Sequence, residues 1–167
     1  MLLNRSVKML FILIMATTLS GCLPNITTYT IVTPFDESEF APYLGDGNAT
    51  IQGQAFLKTR GGDVRFAAGN TVTLIPYTSY SREIWQASLR GDVIYNKNPR
   101  WDKYLRKVVA DGFGNFEFNN IPAGEYYIEC PIFWQYAVGS SLQNTGMWVK
   151  KEVKVLPNQT LKIILTE

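Results

Sequence analysis

From Thr50 to its end the chain alternates apolar and polar residues with a period of two, broken at short intervals by Gly, Pro and Asn. Such alternation sets one face of a strand on a core and the other outward, so it calls for paired sheets rather than a helical bundle. Ile51, Gly53, Ala55 and Leu57 share a face of the first run, against Gln52, Gln54 and Lys58. Gly61, Gly62 and Gly69 mark a connection. Thr71–Tyr77 resumes with Val72 and Leu74 against Thr71 and Thr73, and Pro76 ends the strand or sits at an edge. Arg106–Ala110 and Asn115–Phe118 flank Asp111-Gly112-Phe113-Gly114, a sequence suited to a tight hairpin with Phe116 and Phe118 pointing inward. After a turn over Asn120–Gly124, Glu125–Phe133 sets Tyr126, Ile128 and Cys130 inside and Tyr127 and Glu129 outside. Met147–Val155 and Thr160–Thr166 complete about seven strands, the layout of an all-β Greek-key β-sandwich.

One stretch does not fit the minimal sandwich. Thr78–Arg106 is a long insertion with helical signals. Ser81 is placed to cap a short helix with Ile84, Trp85, Ser88 and Leu89 on one face and Gly91 as its stop. Pro99 starts a second turn, with Trp101, Tyr104 and Leu105 on one side and Arg100, Lys103 and Lys107 towards another. Between Thr78 and Ala110 seven basic residues face three acidic ones, a local charge of about +4. Trp85, Arg100, Trp101 and Lys103 are therefore candidate partner-binding residues, on a flap able to meet lipid headgroups, lipopolysaccharide or an acidic protein. The competing reading is a cap whose Trp85 and Trp101 pack on the sheet while the charges are merely solvated. A second candidate surface gathers Phe133, Trp134 and Tyr136 near a loop through Gly139–Ser141, where an exposed Trp134 or Trp148 could stack on sugar rings.

The sequence contains no histidine. That count excludes Ser-His-Asp and Cys-His triads and removes the commonest ligand of catalytic zinc and iron, so neither a metal nor another cofactor is expected. The acidic residues lie singly on turns and outward strand positions, with no pairing suited to carboxylate-pair hydrolysis. A non-enzymatic module is the expectation.

The N-terminus supplies an address. Arg5 and Lys8 precede an apolar run, Met9–Ala16, which is shorter than the ~20 residues a bilayer span needs. The run closes on Leu19-Ser20-Gly21-Cys22, which resembles the lipobox of bacterial lipoproteins. The resemblance implies a signal peptide over residues 1–21, cleavage before Cys22, a diacylglycerol on the Cys22 thiol and an acylated amine. Two or three acyl chains anchor a protein stably where one does so only marginally, since each buried methylene contributes ~0.8 kcal/mol. Leu23 in place of Asp after the lipidated Cys leans towards the outer membrane. With the leader removed, 14 basic and 14 acidic residues remain, so no general pull on nucleic acid is expected. With Cys22 lipidated, Cys130 has no intramolecular partner and is read as a buried small hydrophobe. Residues 22–48 read as a lipidated N-terminus and tether, although Ile26–Phe35 has the β-forming residues to dock as an edge strand.

Residues 49–167 also carry a family resemblance. Asp111, Gly112, Gly114, Phe116, Phe118, Ile121, Pro122, Gly124, Tyr126 and Ile128 spell D-G-x-G-x-F-x-F-x-x-I-P-x-G-x-Y-x-I, which resembles the carboxypeptidase regulatory-like domain, a transthyretin-like sandwich. Ile51-x-Gly53 and Gly69–Leu74 fit its first two strands. The resemblance implies the fold and an accessory role, without fixing a function. Related hydrolases and dioxygenases depend on histidines that this chain lacks. An internal isopeptide of the pilin type would need Lys58, Asn158 and Glu129 buried together, and Glu129 is expected on the outward face.

The leading expectation is thus a membrane-anchored envelope lipoprotein on the periplasmic face of the outer membrane or the cell surface. Its sandwich would serve as a protein-binding or assembly module. The alternative is a module for carbohydrate or another envelope polymer, using exposed Trp and Tyr.

Overall fold

The structure of the protein, a computed structural model, describes residues 27–167. The expected leader over residues 1–21 and the lipid attachment at Cys22 lie outside the described residues. The elements run β1 (Thr28–Tyr29), β2 (Ala49–Lys58), β3 (Val64–Phe66), β4 (Thr71–Pro76), α1 (Ser79–Leu89) and β5 (Val93–Ile94). They continue with β6 (Arg106–Val109), β7 (Asn115–Ile121), β8 (Gly124–Val138), β9 (Ser141–Val155) and β10 (Thr160–Leu165). Short 3-10 turns cover Glu37–Tyr43 and Trp101–Tyr104.

Two four-stranded sheets form a β-sandwich, as the alternation predicted. In the first, β2 lies between β10, parallel to it, and β7, antiparallel to it; β3 pairs with the far end of β2. The second runs β6-β4-β8-β9, antiparallel throughout. Ile51, Ala55, Leu57, Val72, Leu74, Phe116, Phe118, Tyr126, Ile128 and Cys130 meet between the sheets in the main core. The sheets hold eight strands rather than about seven, because three residues in the glycine-marked connection pair as β3. Cys130 is buried, and burial followed by the nearby Glu129 charge pushes its thiol up to about 11, in keeping with the inert reading. Lys58 is exposed, Asn158 occupies a turn with φ of 61°, and Glu129 lies on the opposite sheet, so nothing assembles an isopeptide site.

Five expectations are corrected. The Asp111–Gly114 turn does not close a hairpin: β6 pairs with β4 and β7 with β2, so the turn carries the chain from one sheet to the other. Gly114 is needed there because a Cβ would stand 2.3 Å from the Ala55 carbonyl oxygen, where Ala55 N–H bonds Gly114 O at 2.8 Å.

Tyr127, expected outside, is buried. The outer face of the second sheet is roofed by a second core of Ile31, Phe40, Ile75, Tyr80, Ile84, Trp85, Trp101, Tyr104 and Tyr127. A sheet covered on both faces buries consecutive residues, as Tyr126-Tyr127-Ile128 and Leu74-Ile75-Pro76 do.

Thr78, not Ser81, caps the helix, its hydroxyl accepting from Ser81 N–H at 3.1 Å. Ser81 is buried and accepts from Trp101 Nε1 at 3.2 Å. Leu89, expected on the apolar face of the helix, is exposed.

The tether expected over residues 22–48 is also revised from Thr27 onward. β1 pairs in parallel with β5 of the insertion rather than with a sandwich edge, and Ile31 and Phe40 enter the second core. The tie is Glu83 of α1, which accepts from Tyr29 Oη (2.8 Å), Val32 N–H (2.9 Å) and Thr33 N–H (2.7 Å).

Candidate functional site

The insertion residues singled out in the sequence come together, but as architecture. Trp85 is 4% exposed and stacks on Tyr127 with ring centroids 4.5 Å apart; Trp101 is 6% exposed. Arg100 reaches the surface, where its Nη1 pairs with Glu37 Oε1 at 2.5 Å and its guanidinium lies 5.5 Å from the Phe35 ring. Lys103 approaches the same Glu37 oxygen at 3.7 Å. Asp102 faces Lys107 and Asp92 binds Arg90, so with Glu37 four of the seven basic residues have an acidic partner. These four residues fasten Glu37–Tyr43 and the helical layer onto the sheet, which is the cap reading.

The uncovered aromatic residues lie where that cap ends. α1 stops at Leu89, and Gly91 turns the chain away with φ of 81°. As far as Lys150 the outer face of the second sheet is sheltered: Lys150 Nζ donates to Ser88 Oγ at 2.8 Å and lies 5.5 Å from the Trp85 ring. Burial lowers the Lys150 pKa, against the opposing pull of Glu129, its cross-strand partner, whose own pKa burial raises. Two residues further out, Trp148 has no helix above it among the described residues.

The strand register gives Trp148 and Phe133 the same side of the sheet, since Trp148 pairs with Pro131 and Phe133 with Gly146. They are 47% and 54% exposed, and Leu89 at 60% stands across from them. Together with Ser88, Arg90, Gly91, Met147, Lys150 and the chain end at Thr166–Glu167 they line an open groove of about 550 Å³. Arg90 is held in place by Asp92 (Nη2 to Oδ2, 2.8 Å) and by the Tyr29 ring, 5.1 Å from its guanidinium. An apolar aromatic floor with a few fixed polar groups at the rim can bind a small amphipathic ligand.

Beyond the groove, β8 and β9 run on as a two-stranded arm to a turn at Gly139–Ser140. Trp134 is half-buried on the other face of this arm, its ring 5.8 Å from the Arg65 guanidinium. Tyr136 is exposed on that face and donates to Gln143 Oε1 at 2.9 Å. The loop-side aromatic residues read from the sequence are thus split by strand alternation, with Phe133 towards the groove and Trp134 and Tyr136 away from it.

Sequence reasoning did not place Leu89 and Arg90 in a site. The signal was present in Gly91, which ends the helix before it can roof Trp148. Among the described residues, no helix is long and apolar enough to cross a membrane, and no group of three or more His, Cys, Asp or Glu gathers as a metal site.

A two-sheet β-sandwich roofed on one face by a helical layer defines the class of fold. No protein-family model matches the chain, and no curated protein matches its sequence. Among solved structures, a candidate carbohydrate-binding protein of Pseudomonas aeruginosa shares this fold, with 30% sequence identity and a TM-score of 0.71. The match covers 82% of this chain and all (100%) of the other. The chain belongs to the same family as that protein.

Proposed function

We propose that the protein is a non-catalytic binding module that holds a glycan in the groove between the end of α1 and the edge of β9. The observation carrying this reading is the exposure of Trp148 and Phe133 side by side over a groove with a fixed polar rim. Pyranose rings present apolar C–H faces that lie on aromatic rings, while their hydroxyls need a few oriented polar groups, which Arg90, held by Asp92, and Lys150, held by Ser88, supply at the rim. The description of the Pseudomonas aeruginosa relative supports the same reading. In this account the sandwich is of the carboxypeptidase regulatory-like type. Acylated Cys22 anchors it to the periplasmic face or outer surface of the outer membrane.

Titrating intrinsic tryptophan fluorescence with oligosaccharides released from the cell envelope tests the site. Wild type is expected to shift on binding, and Trp148→Ala to bind at least about tenfold more weakly, the equivalent of ~1.4 kcal/mol. Equal affinity of the two proteins would remove the groove from consideration. For the anchor, Cys22→Ser is expected to move the protein out of the membrane fraction, and its retention there would refute the lipoprotein reading.

A protein-binding or assembly role has one observation in its favour, the long β8–β9 arm with Tyr136, Val138 and Leu142 exposed and β9 as an open sheet edge. Crosslinking through the arm in intact cells distinguishes it: capture of one defined partner, with Trp148→Ala silent towards glycans, favours assembly.

A further inference from the structure

The groove and the start of the described chain share a rim. Thr27 O accepts from Val93 N–H at 2.9 Å, and β1 continues alongside β5 from there. Val93 is two residues past Gly91, which lines the groove, so their Cα atoms are at most about 7.6 Å apart. Arg90, also on the groove wall, covers the Tyr29 ring. Four residues, 23–26, separate Thr27 from Cys22 in sequence, and five Cα-to-Cα steps span no more than about 19 Å.

Resting on the lipoprotein and glycan readings above, we infer that the groove is a membrane-proximal site and that its ligand is the saccharide part of a lipid in the same membrane. If Cys22 is at the bilayer surface, the groove rim lies within roughly 30 Å of it, because the short spacer and the Thr27–Val93 contact leave little slack. A ligand confined to the same surface is then met at an effective concentration far above that of a free polymer. The chemistry of the groove agrees. Trp148 and Phe133 suit sugar faces, while Leu89 across from them suits the apolar base of a glycolipid head. An aromatic residue flanked by a cation, here Arg90, is a common arrangement at a membrane interface.

The test uses the full lipidated chain in phosphatidylethanolamine vesicles with and without lipopolysaccharide. It compares the native chain with one carrying about 30 Gly and Ser residues inserted between Ile26 and Thr27. The readout is hydrogen-exchange protection of residues 146–150, and oligosaccharide freed from the same lipopolysaccharide is titrated against both proteins in solution. Effective concentration falls as about the 3/2 power of spacer length, so the inserted chain is expected to lose roughly twentyfold in groove occupancy on lipopolysaccharide vesicles. Its affinity for the free oligosaccharide should match that of the native chain. Equal protection at both spacer lengths, or binding of free oligosaccharide with no protection on vesicles, would overturn the inference and leave the glycan site standing. No binding of saccharide in either form, with Trp148→Ala identical to wild type, would remove the glycan reading and this inference together.

Discussion

Glu83 shows how one side chain converts a stretch that reads as a tether into part of the domain. Burial works to raise its pKa, but the donors from Thr33, Val32 and Tyr29 outweigh that and hold the carboxyl at about 2, below its ordinary value of 4.5. A carboxylate with a depressed folded-state pKa contributes stability that is complete above the unfolded pKa and is lost as pH falls towards the folded one. Thermal unfolding followed between pH 2 and pH 5 is therefore expected to show wild type losing stability as the acid end is approached. Glu83→Gln should start about 1 kcal/mol lower at neutral pH, a figure already reduced for solvent screening, and should follow a shallower curve. Parallel curves for the two proteins would show that the staple does not titrate in this window. Nothing in the spacing of Tyr29, Val32, Thr33 and Glu83 announces this contact, because the partners are about 50 residues apart and most of the donors are backbone N–H groups.

Elements were legible in proportion to how local their causes are. The strands of the sandwich follow from alternation, and Phe116, Phe118, Tyr126, Ile128 and Cys130 all point into the core as their positions predicted. The burial of Tyr127 was not legible, because a third layer from elsewhere in the chain covers a face that the strand pattern alone marks as outward. The Asp111–Gly114 turn failed for a related reason: its residues fix a tight reversal but not which sheet the next strand joins. The β8–β9 arm was hidden for its own cause, since Phe133–Val138 reads as a strand running into a loop, whereas pairing continues from Phe133↔Gly146 to Val138↔Ser141. Gly146 sets the geometry of this arm at the groove. Its φ is 125°, and an added Cβ would stand 2.1 Å from Ile132 O and 2.7 Å from Phe133 Cα. Gly146→Ala is expected to cost about 2 kcal/mol in urea unfolding and to speed amide exchange in the arm. An unchanged midpoint would mean that the strands can part there without strain.

At the scale of the whole molecule, the helical layer makes a site by stopping short. Its Trp85 and Trp101 are spent on packing, four of its seven basic residues pair with Glu37, Asp92 or Asp102, and the aromatic residues it fails to cover form the groove. The sequence carried every one of these residues, but exposure is decided by how far α1 reaches over β9, which no local pattern encodes. This is why the basic flap read as either a cap or a binding surface and Trp148 only as one aromatic among several. The same geometry sets the groove against a competing surface, the trough of about 620 Å³ lined by Gln52, Gln54, Glu117 and Lys162, where Gln52 donates to Glu117 and Gln54 to the Phe113 carbonyl. Backbone amide shifts of the isotopically labelled protein, followed during titration with an envelope oligosaccharide, decide between them most directly. The account predicts perturbations clustered at Ser88–Gly91, Phe133, Gly146–Lys150 and Thr166–Glu167, abolished in Trp148→Ala. Perturbations clustered instead on Gln52, Gln54, Glu117 and Lys162, and unaltered by that substitution, would contradict it.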